Sequence, residues 1–298
     1  PFEKEGQYLK SDNRNNISYF LEHNVLLRRF TLSVGVLANY NSALNEGIHF
    51  YPGIDASYRI GDNFRLYGSW NRALRMPTFT DLYYEGKTNK GNPDLKPEES
   101  EAFEVGLKYN TYFLRAHIAG FYRKGKNMID WVKEKPEDIW ESQNLTKVDN
   151  LGFETNLSLL PRELGNERFF IRKIELGYAF IHQDKDSEGY ISNYALDYLK
   201  HKFTAQLSHS IWKGFSATWY VRWQDRAGSY TKYENLKPAY EEPYAPYCLV
   251  DMKVNWEYQR LNLYAELNNL LNSTYYDLGN IPQPGIWFKA GFRYSFKY

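Results

Sequence analysis

The last fourteen residues, 285–298, alternate between apolar and polar side chains with no break in register. Successive side chains of a strand point to opposite faces, so a period of two predicts one strand with two different faces. A tilted strand needs about 9–11 residues to cross a membrane, and this segment is long enough to do so. The apolar parity consists of Ile286, Phe288, Ala290, Phe292, Tyr294, Phe296 and Tyr298.

The same alternation recurs in about thirteen segments, which are joined by short and long connections in turn. Short turns are predicted near residues 28, 62, 111, 163, 213 and 259, and longer connections near 41–47, 75–97, 134–146, 184–197, 226–244 and 272–285. Outer-membrane barrels have short periplasmic turns and long extracellular loops. The pattern therefore predicts an all-β fold, an antiparallel transmembrane β-barrel with its long connections outside the cell.

The opposite parity of these segments is polar and carries both signs of charge. In a soluble sandwich it would be the solvated face, whereas in a barrel it lines a wide, wet lumen. The length of the segments favours the barrel. The charged members are Arg65, Glu104, Lys108, Lys173, Glu175, Arg222, Asp251, Lys253, Glu257, Glu266, Lys289 and Arg293.

The odd number of segments predicts that strands are missing. Bacterial single-chain barrels have even strand counts, and the first segment here descends from the outside, so at least one ascending strand should precede it. The chain opens with Pro1 and polar sequence, without a signal peptide. We therefore expect residues 1–298 to be the C-terminal portion of a larger barrel.

Composition narrows the functional classes. The mean hydropathy is −0.66, and no segment approaches the roughly 18 apolar residues of a transmembrane helix. A net charge of +1 argues against a nucleic-acid partner, which would require surplus Lys and Arg. Cys248 is the only cysteine, so disulfide frameworks and cysteine zinc sites are excluded, and its apolar parity indicates a small hydrophobic residue.

Residues 70–107 contain a distinctive box. Residues 70–84 read Trp-Asn-Arg-Ala-Leu-Arg-Met-Pro-Thr-Phe-Thr-Asp-Leu-Tyr-Tyr, and residues 91–100 read Gly-Asn-Pro-Asp-Leu-Lys-Pro-Glu-Glu-Ser. The box resembles that of TonB-dependent outer-membrane receptors, and Asn-Asn-Leu-Leu-Asn at 268–272 is also typical of them. The aromatic C-terminus resembles the assembly signal of bacterial outer-membrane barrels. The prolines of the box are expected to shape an extracellular loop, because proline fixes φ and removes a donor.

The resemblance implies a barrel of about 22 strands filled by an N-terminal plug, of which this chain holds about thirteen strands and neither the plug nor the TonB box. Such receptors import scarce, bulky nutrients across the outer membrane of Gram-negative bacteria, and TonB relays the energy. The implied partners are the chain's own plug and earlier strands, the TonB complex, outer-membrane lipid and possible surface lipoproteins. The amino-acid sequence of the box is similar to that of vitamin B12-type receptors of the Bacteroides group.

Candidate ligand contacts lie in the box and in the outer loops. Arg72 and Arg75 are expected to face the lumen, where they could touch substrate or plug. Aromatic and amide side chains suit a large amphipathic ligand, although interfacial or loop packing explains each aromatic, taken alone, better than ligand contact does. These candidates are Tyr83, Tyr84, Asn89, Trp140, Tyr190, Tyr194, Tyr230, Tyr233, Tyr240 and Tyr244.

The cargo predicted from the box is a cobalamin-like corrinoid. Haem receptors of the family usually carry a His between the halves of the box, and residues 76–97 contain none. His201 and His209 share the apolar parity and are expected in the barrel wall. A ferric siderophore is the alternative cargo, followed by haem.

Two other functional classes stay open, and no cofactor is predicted apart from calcium. Asp184 and Asp186 lie in one outer connection and could bind a calcium ion, since this hard cation prefers carboxylate oxygens. His182 beside them would be the place to look for an outer-membrane enzyme such as a protease or lipase. A passive porin is the third possibility. A plug and a TonB box in the full gene would favour the transporter over both.

Overall fold

Thirteen long strands make up most of the described chain in the computed structural model. The structure describes residues 7–8, 13–42, 47–135, 137–165, 168–186, 189–192, 198–234, 237–279 and 281–296. The long strands are β1 (Asn16–Leu26), β2 (Phe30–Asn41), β3 (Ile48–Ile60), β4 (Phe64–Arg75), β5 (Glu98–Asn110), β6 (Leu114–Lys133), β7 (Trp140–Leu159), β8 (Ile171–Asp186), β9 (Leu199–Trp212), β10 (Phe215–Arg226), β11 (Tyr247–Tyr258), β12 (Leu261–Asn268) and β13 (Trp287–Tyr294).

The remaining elements are short and lie in the connections. They are the helix α1 (Phe79–Tyr83), a 3-10 turn at Pro161–Leu164, and strands at Gln7–Tyr8, Tyr84–Glu85, Asn89–Lys90, Ile191–Ser192, Ser229–Glu234, Lys237–Pro243, Tyr276–Leu278 and Ile281–Pro282. No helix among the described residues is long and apolar enough to cross a membrane.

Each long strand pairs antiparallel with the next one along the chain, from β1 to β13. The predicted meander and the predicted number of strands are confirmed. Within the described residues, β1 pairs only with β2 and β13 only with β12, so the sheet has two edges. A strand edge in hydrocarbon leaves backbone groups without partners, which is why membrane barrels close.

The two faces of the sheet follow the two parities of the sequence. Ile54, Trp70, Phe103, Tyr122 and Leu151 fall in one register row across β3 to β7, and this face is apolar. Seven successive strands, β5 to β11, line one cavity of about 610 Å³, and most of the lining residues have the opposite, polar parity. The sheet therefore curves around its polar face, as a lumen requires.

Aromatic rows mark both ends of the apolar face. At the inner end, which carries the short turns, Phe64 meets Tyr109 with ring centroids 4.6 Å apart, and Phe215 meets Trp256 at 6.0 Å. At the outer end, which carries the long connections, Trp70 meets Phe103 at 6.4 Å. The outer row continues through Tyr122 and through a cluster of Phe180, His201 and Trp223. Aromatic girdles of this kind flank the lipid-facing band of outer-membrane barrels.

His201 and His209 lie on the apolar face, as predicted. The His201 ring centroid is 5.0 Å from that of Phe180. The indole N–H of Trp219 donates to Nε2 of His209 at 3.1 Å. Both imidazoles therefore belong to the wall.

The hairpin of β6 and β7 is longer than the sequence predicted. Each strand has 20 residues, so the expected loop at 134–146 is reduced to residues 134–139. Val132, Leu145 and Val148 are buried in a small core beyond the outer aromatic row, and Met128 and Tyr190 pack on it. This core stabilises an extension that rises above the rest of the sheet.

The final strand is shorter than predicted. β13 has 8 residues rather than fourteen, because its ladder partner β12 has only 8. Its apolar parity is confirmed, since Phe288 and Phe292 are 63% and 74% exposed on the outer face. Residues 297–298 lie outside the described chain.

Candidate functional site at the outer end of the sheet

The box loop, residues 76–97, is closed at its base by an ion pair. Arg75 ends β4 and Glu98 begins β5, and the guanidinium Nε and Nη2 lie 2.5 and 2.7 Å from the two carboxylate oxygens. Glu98 Oε1 also accepts a hydrogen bond from the backbone N–H of Ile129 at 2.7 Å. Because a two-pronged pair fixes both position and orientation, it ties the loop to β6.

Helix α1 inside the box loop begins with a reciprocal cap. The hydroxyl of Thr78 accepts from the N–H of Asp81 at 3.1 Å, and the Asp81 carboxylate accepts from the N–H of Thr78 at 2.9 Å. Each side chain thereby satisfies a donor that the first helical turn leaves free. Thr78-x-x-Asp81 is therefore the start signal of this helix, and it was readable in the sequence.

The second half of the box loop packs against the backbone of α1. A Cβ on Gly91 would lie 2.8 Å from the Leu82 carbonyl carbon, so no side chain fits there. The carbonyl of Asp81 accepts from the N–H of Asn92 at 2.8 Å and from the hydroxyl of Ser142 at 2.5 Å. Glycine at 91 is required by this close approach.

The extension of β6 and β7 holds the box loop from the other side. Asn144 accepts from the N–H of Lys96 at 2.8 Å and donates to the carbonyls of Lys96 and Asn127 at 2.9 and 2.7 Å. Ser142 and Asn144 share the parity of the lumen-facing residues of β7. The box loop therefore folds over the polar face.

Several predicted contact residues meet at the box loop. Asn89–Lys90 forms a parallel ladder with Trp140–Glu141, so Asn89 lies beside Trp140. Lys133 Nζ lies 4.5 Å from the centre of the Trp140 ring. Tyr83 stacks on Phe79 at 6.2 Å, and Tyr84 meets Tyr8 edge-on at 5.8 Å.

A second aromatic group joins the connections β10–β11 and β12–β13. The Tyr230 ring centroid lies 5.2 Å from those of both Tyr244 and Tyr276. Tyr230 and Tyr244 are 6% and 9% exposed, whereas Tyr233 and Tyr240 near the hairpin tip are about half exposed (53% and 50%). The first two therefore form the packed centre of this group, and the last two offer free aromatic surface.

The hairpin formed by Ser229–Glu234 and Lys237–Pro243 is also held by charge. Lys232 Nζ lies 2.8 Å from Glu242. This contact lowers the pKa of Glu242 and raises that of Lys232, because each charge stabilises the other. Burial, together with a hydrogen bond to Glu242, raises the pKa of Tyr230, so its hydroxyl stays protonated.

Two further predicted contact residues are Arg72 and Tyr194. Arg72 pairs with Glu101 and Glu99 at 3.3 and 3.8 Å, and it lines one cavity with Asn39 and Tyr51 of the polar face, so its contact with substrate or plug stays a prediction. Tyr194 lies outside the described residues.

The predicted calcium ligands are only partly visible in the structure. Asp184 is exposed and lies opposite Asp149 in the β7–β8 ladder. The side chain of Asp186 lies outside the described part of the chain. Among the described residues, no group of three or more His, Cys, Asp or Glu side chains is placed to hold a metal ion. Calcium at this connection stays a prediction.

The polar face carries two kinds of charged group. On β11, β12 and β13 the carboxylate of Glu266 lies 2.7 Å from Lys253 and 2.9 Å from Lys289, and we call these three residues the paired row. Deeper on β4 to β6, the Tyr67 hydroxyl bridges Glu104 and His117 at 2.7 and 2.8 Å. Charges of both signs are matched in the paired row, and Glu104 has a hydrogen-bond partner in Tyr67.

Beside the outer aromatic row the polar face is basic. Arg123 follows Tyr122, Lys202 follows His201, and Arg222 precedes Trp223. We call Arg123, Lys202 and Arg222 the cationic wall. Within the described residues, none of the three makes an ion pair. Sequence analysis did not single out this group, although Arg222 was assigned to the lumen.

Comparison with known proteins decides the family. Residues 3–270 match the profile of the family described as "TonB dependent receptor-like, beta-barrel". The chain belongs to the TonB-dependent receptor family. The family predicted from the box is thereby confirmed, as are the antiparallel barrel fold and the location in the outer membrane of a Gram-negative bacterium.

Receptors for two kinds of cargo are similar to this chain. The vitamin B12 transporter BtuB of Vibrio vulnificus (strain YJ016) is 27% identical over 224 residues, covering 56% of this chain and 36% of that protein. The ferrienterobactin receptor of Escherichia coli (strain K12) is 22% identical over 297 residues, covering 90% and 38%. A mutant ferric enterobactin receptor of Pseudomonas aeruginosa, solved with enterobactin, matches with a TM-score of 0.73 at 19% identity, over 95% of this chain and 46% of that chain.

This chain spans less than half the length of each of these relatives. The structural likeness shows the fold, and the family is one of receptors and transporters rather than enzymes. A plug, a completed barrel and contact with TonB are what membership of the family implies.

Proposed function

We propose that this chain forms the C-terminal wall of an active importer that carries a bulky, scarce nutrient across the outer membrane. The polar concave face carries this proposal, because seven strands already surround one wet cavity. A lumen of that width is not filled by its own side chains and suits a plugged transporter. The family match over residues 3–270 supports the same function.

The first candidate cargo is a cobalamin-like corrinoid. The amino-acid sequence of the box supports this cargo, and so does the similarity of the chain to a vitamin B12 transporter. The structure adds polar and aromatic surface around the box loop, where Asn89 lies beside Trp140 and Tyr84 is half-buried. Such mixed surface suits a large ligand with an amphipathic rim.

A ferric siderophore is the second candidate. Its support is the similarity to receptors whose names specify ferric enterobactin. Haem is the third, and the lack of a His in residues 76–97 speaks against it. The proposed partners are a plug domain, the TonB complex, outer-membrane lipid and a surface lipoprotein.

Titration of the intact receptor by calorimetry tests the cargo. Cyanocobalamin, haem and a ferric siderophore are added separately to the purified protein. We expect tight binding of cyanocobalamin or of the ferric siderophore. Nanomolar binding of an iron ligand, with no heat of binding on addition of cyanocobalamin, would reject the corrinoid.

An uptake assay tests the importer itself. Cells that express the receptor should accumulate the bound cargo only when TonB is present. Equal uptake with and without TonB would identify a passive porin instead and would reject the proposal. Cleavage of a lipid or peptide by the purified receptor would point to the enzyme class.

A further inference from the structure

Four cations lie side by side on the polar face at the inner end of the sheet. Arg59 on β3 stands directly opposite Arg65 on β4, and Arg65 stands directly opposite Lys108 on β5. Lys108 stands opposite His117 on β6, so Arg115 is its diagonal neighbour. We call Arg59, Arg65, Lys108 and Arg115 the inner cationic row. Lys108 and Arg115 line the cavity of about 610 Å³, so the row faces the lumen.

The inner cationic row is unfavourable for the sheet by itself. Residues directly opposite each other in an antiparallel ladder have Cβ atoms about 4.5–5.5 Å apart, and like charges in this position destabilise the pairing. Within the described residues, none of the four side chains makes an ion pair. Lys108 Nζ instead lies 4.6 Å from the centre of the Tyr67 ring. The row therefore needs negative charge from outside these four strands.

The acids nearest to the row on β5 and β7 are engaged elsewhere. Glu104 lies on the same strand as Lys108, nearer the outer end, and it accepts from the hydroxyl of Tyr67 at 2.7 Å. Glu154 lies 3.7 Å from Nδ1 of His117. Both carboxylates therefore belong to a separate group around His117.

Two further acids at the inner end do not balance the row either. Glu175 shares a register row with Arg115 but is two strands, about 10 Å, away, and it pairs with Lys173 at 2.8 Å. Asp62 is exposed at the tip of the hairpin that joins β3 to β4, and within the described residues it forms no ion pair with the row. A single carboxylate in a solvated turn does not compensate four cations.

Any additional strand of the barrel is also remote from the row. The row occupies β3 to β6, so β1 and β2 lie between it and one edge of the sheet, and β7 to β13 lie between it and the other edge. Counter-charge must therefore come from whatever fills the lumen. Water and dissolved ions screen the row while the lumen is wet, whereas a packed domain that excludes water leaves unpaired cations at a high cost.

We propose that the inner cationic row docks an acidic surface of the plug domain. This inference rests on the proposed import function, of which the plug is a part, and it names the docking surface and the charge of its partner. In the relatives, more than half of the chain lies outside the part matched here, which is room enough for such a domain. Carboxylates of the plug would lie between the cations and would satisfy them as the lumen is filled.

Zero-length cross-linking of the intact receptor tests the docking directly. A water-soluble carbodiimide activates a carboxylate, which then forms an amide with a lysine amine in contact with it while the carbodiimide becomes a urea. We expect mass spectrometry to find Lys108 joined to an Asp or Glu of the plug. Lys253 is the internal control, because its Nζ lies 2.7 Å from Glu266 and should give a product within the barrel. The variant Arg65→Lys places a second amine in the row and should give a second plug product.

A permeability assay tests whether the row helps to hold the plug. Liposomes that contain the receptor swell as an uncharged sugar enters, and a plugged receptor keeps this swelling slow. Arg65→Gln with Lys108→Gln should speed the swelling about tenfold or more, because it leaves carboxylates of the plug without partners. The matched control is Lys253→Gln with Lys289→Gln, since these two lumen cations have their acid, Glu266, within the barrel. The control should leave swelling unchanged.

Heat-modifiability of each variant checks that the barrel is folded, and the single substitution Arg65→Gln replaces the double one should that variant fail to fold. Formation of the control product without any plug product of Lys108 would overturn the inference, and so would equal swelling by the row variant and the natural protein. TonB-dependent uptake by the natural protein would still leave the import function standing in either case. A natural receptor that swells liposomes as fast as an open pore, with no plug product, would reject the inference and the proposed function together.

Discussion

The paired row and the cationic wall both place long basic side chains on the polar face of the sheet, but only the paired row also supplies an acidic partner. In the paired row, Glu266 lies between Lys253 and Lys289, so the charge is matched within the wall of the barrel. In the cationic wall, Lys202 and Arg222 have only neutral register partners. Matched charges connect neighbouring strands, whereas unmatched charges leave a field for something outside the sheet.

The comparison also separates stability from recognition. The paired row lies beside β13, an edge strand of the described sheet, where cross-strand contacts support the ladder. The cationic wall lies on β6, β9 and β10, which are paired on both sides and need no such support. Four substitutions, taken from the largest expected effect to the smallest, test this division.

Val254→Arg should have the largest effect. Val254 lies on the apolar face of β11, next to Lys253 on the polar face, and the register places it opposite Ala265 and Ala217. A charge at mid-bilayer on the lipid side costs about 2–4 kcal/mol. Urea titration of the receptor in lipid vesicles measures the loss, with Lys253→Gln as the control on the lumen side. Equal effects of the two changes would contradict the assignment of the faces.

Glu98→Gln should rank second. Glu98 lies at the outer end of the sheet, as the cationic wall does, but it pairs with an opposite charge, Arg75. The change weakens the two-pronged bond of Arg75 and the acceptor for the Ile129 N–H. Loss of a buried, charge-assisted contact costs about 1–3 kcal/mol. Hydrogen exchange should then rise in residues 76–97, and the exposed Glu99→Gln is the control. Unchanged exchange in the box loop would show that the ion pair does not hold it.

The strands and their faces could be predicted because a period of two is visible residue by residue. Each of the thirteen strands was found, and the lumen assignments of Lys253, Glu266 and Lys289 are confirmed by their ion pairs. The extension of β6 and β7 was missed, since residues 123–127 read Arg-Lys-Gly-Lys-Asn and have no apolar parity. Its core forms only when Tyr190 and the two strands come together.

The candidate site was less predictable because residue type does not reveal burial. Tyr230 and Tyr233 look alike in the sequence, yet one is 6% exposed and the other 53%. The sequence also does not show which charged residues pair across a loop, so Arg75 was predicted as a contact residue without its partner Glu98. The cationic wall depends on which strands are adjacent, and a list of charged residues does not contain that information.

Glu266→Gln should lower the stability of the receptor less than Val254→Arg or Glu98→Gln. It leaves Lys253 and Lys289 facing each other across β12 without their shared partner. Solvent in the lumen screens these partly exposed side chains, so we expect a loss below about 1 kcal/mol. The loss should grow at low salt, where repulsion between the lysines is less screened. A salt-independent loss would assign the effect to packing instead of charge.

Lys202→Gln should have the smallest effect on stability, and it is the most direct test of the difference between the two regions. No described residue pairs with Lys202, and its removal relieves repulsion from Arg222 and Arg226 across the ladder. We therefore expect the unfolding midpoint in urea to stay within about 0.5 kcal/mol of the natural protein, or to rise slightly at low salt. A clear loss of stability would show that Lys202 supports the wall of the barrel, because a cation without a partner in the sheet contributes nothing to folding.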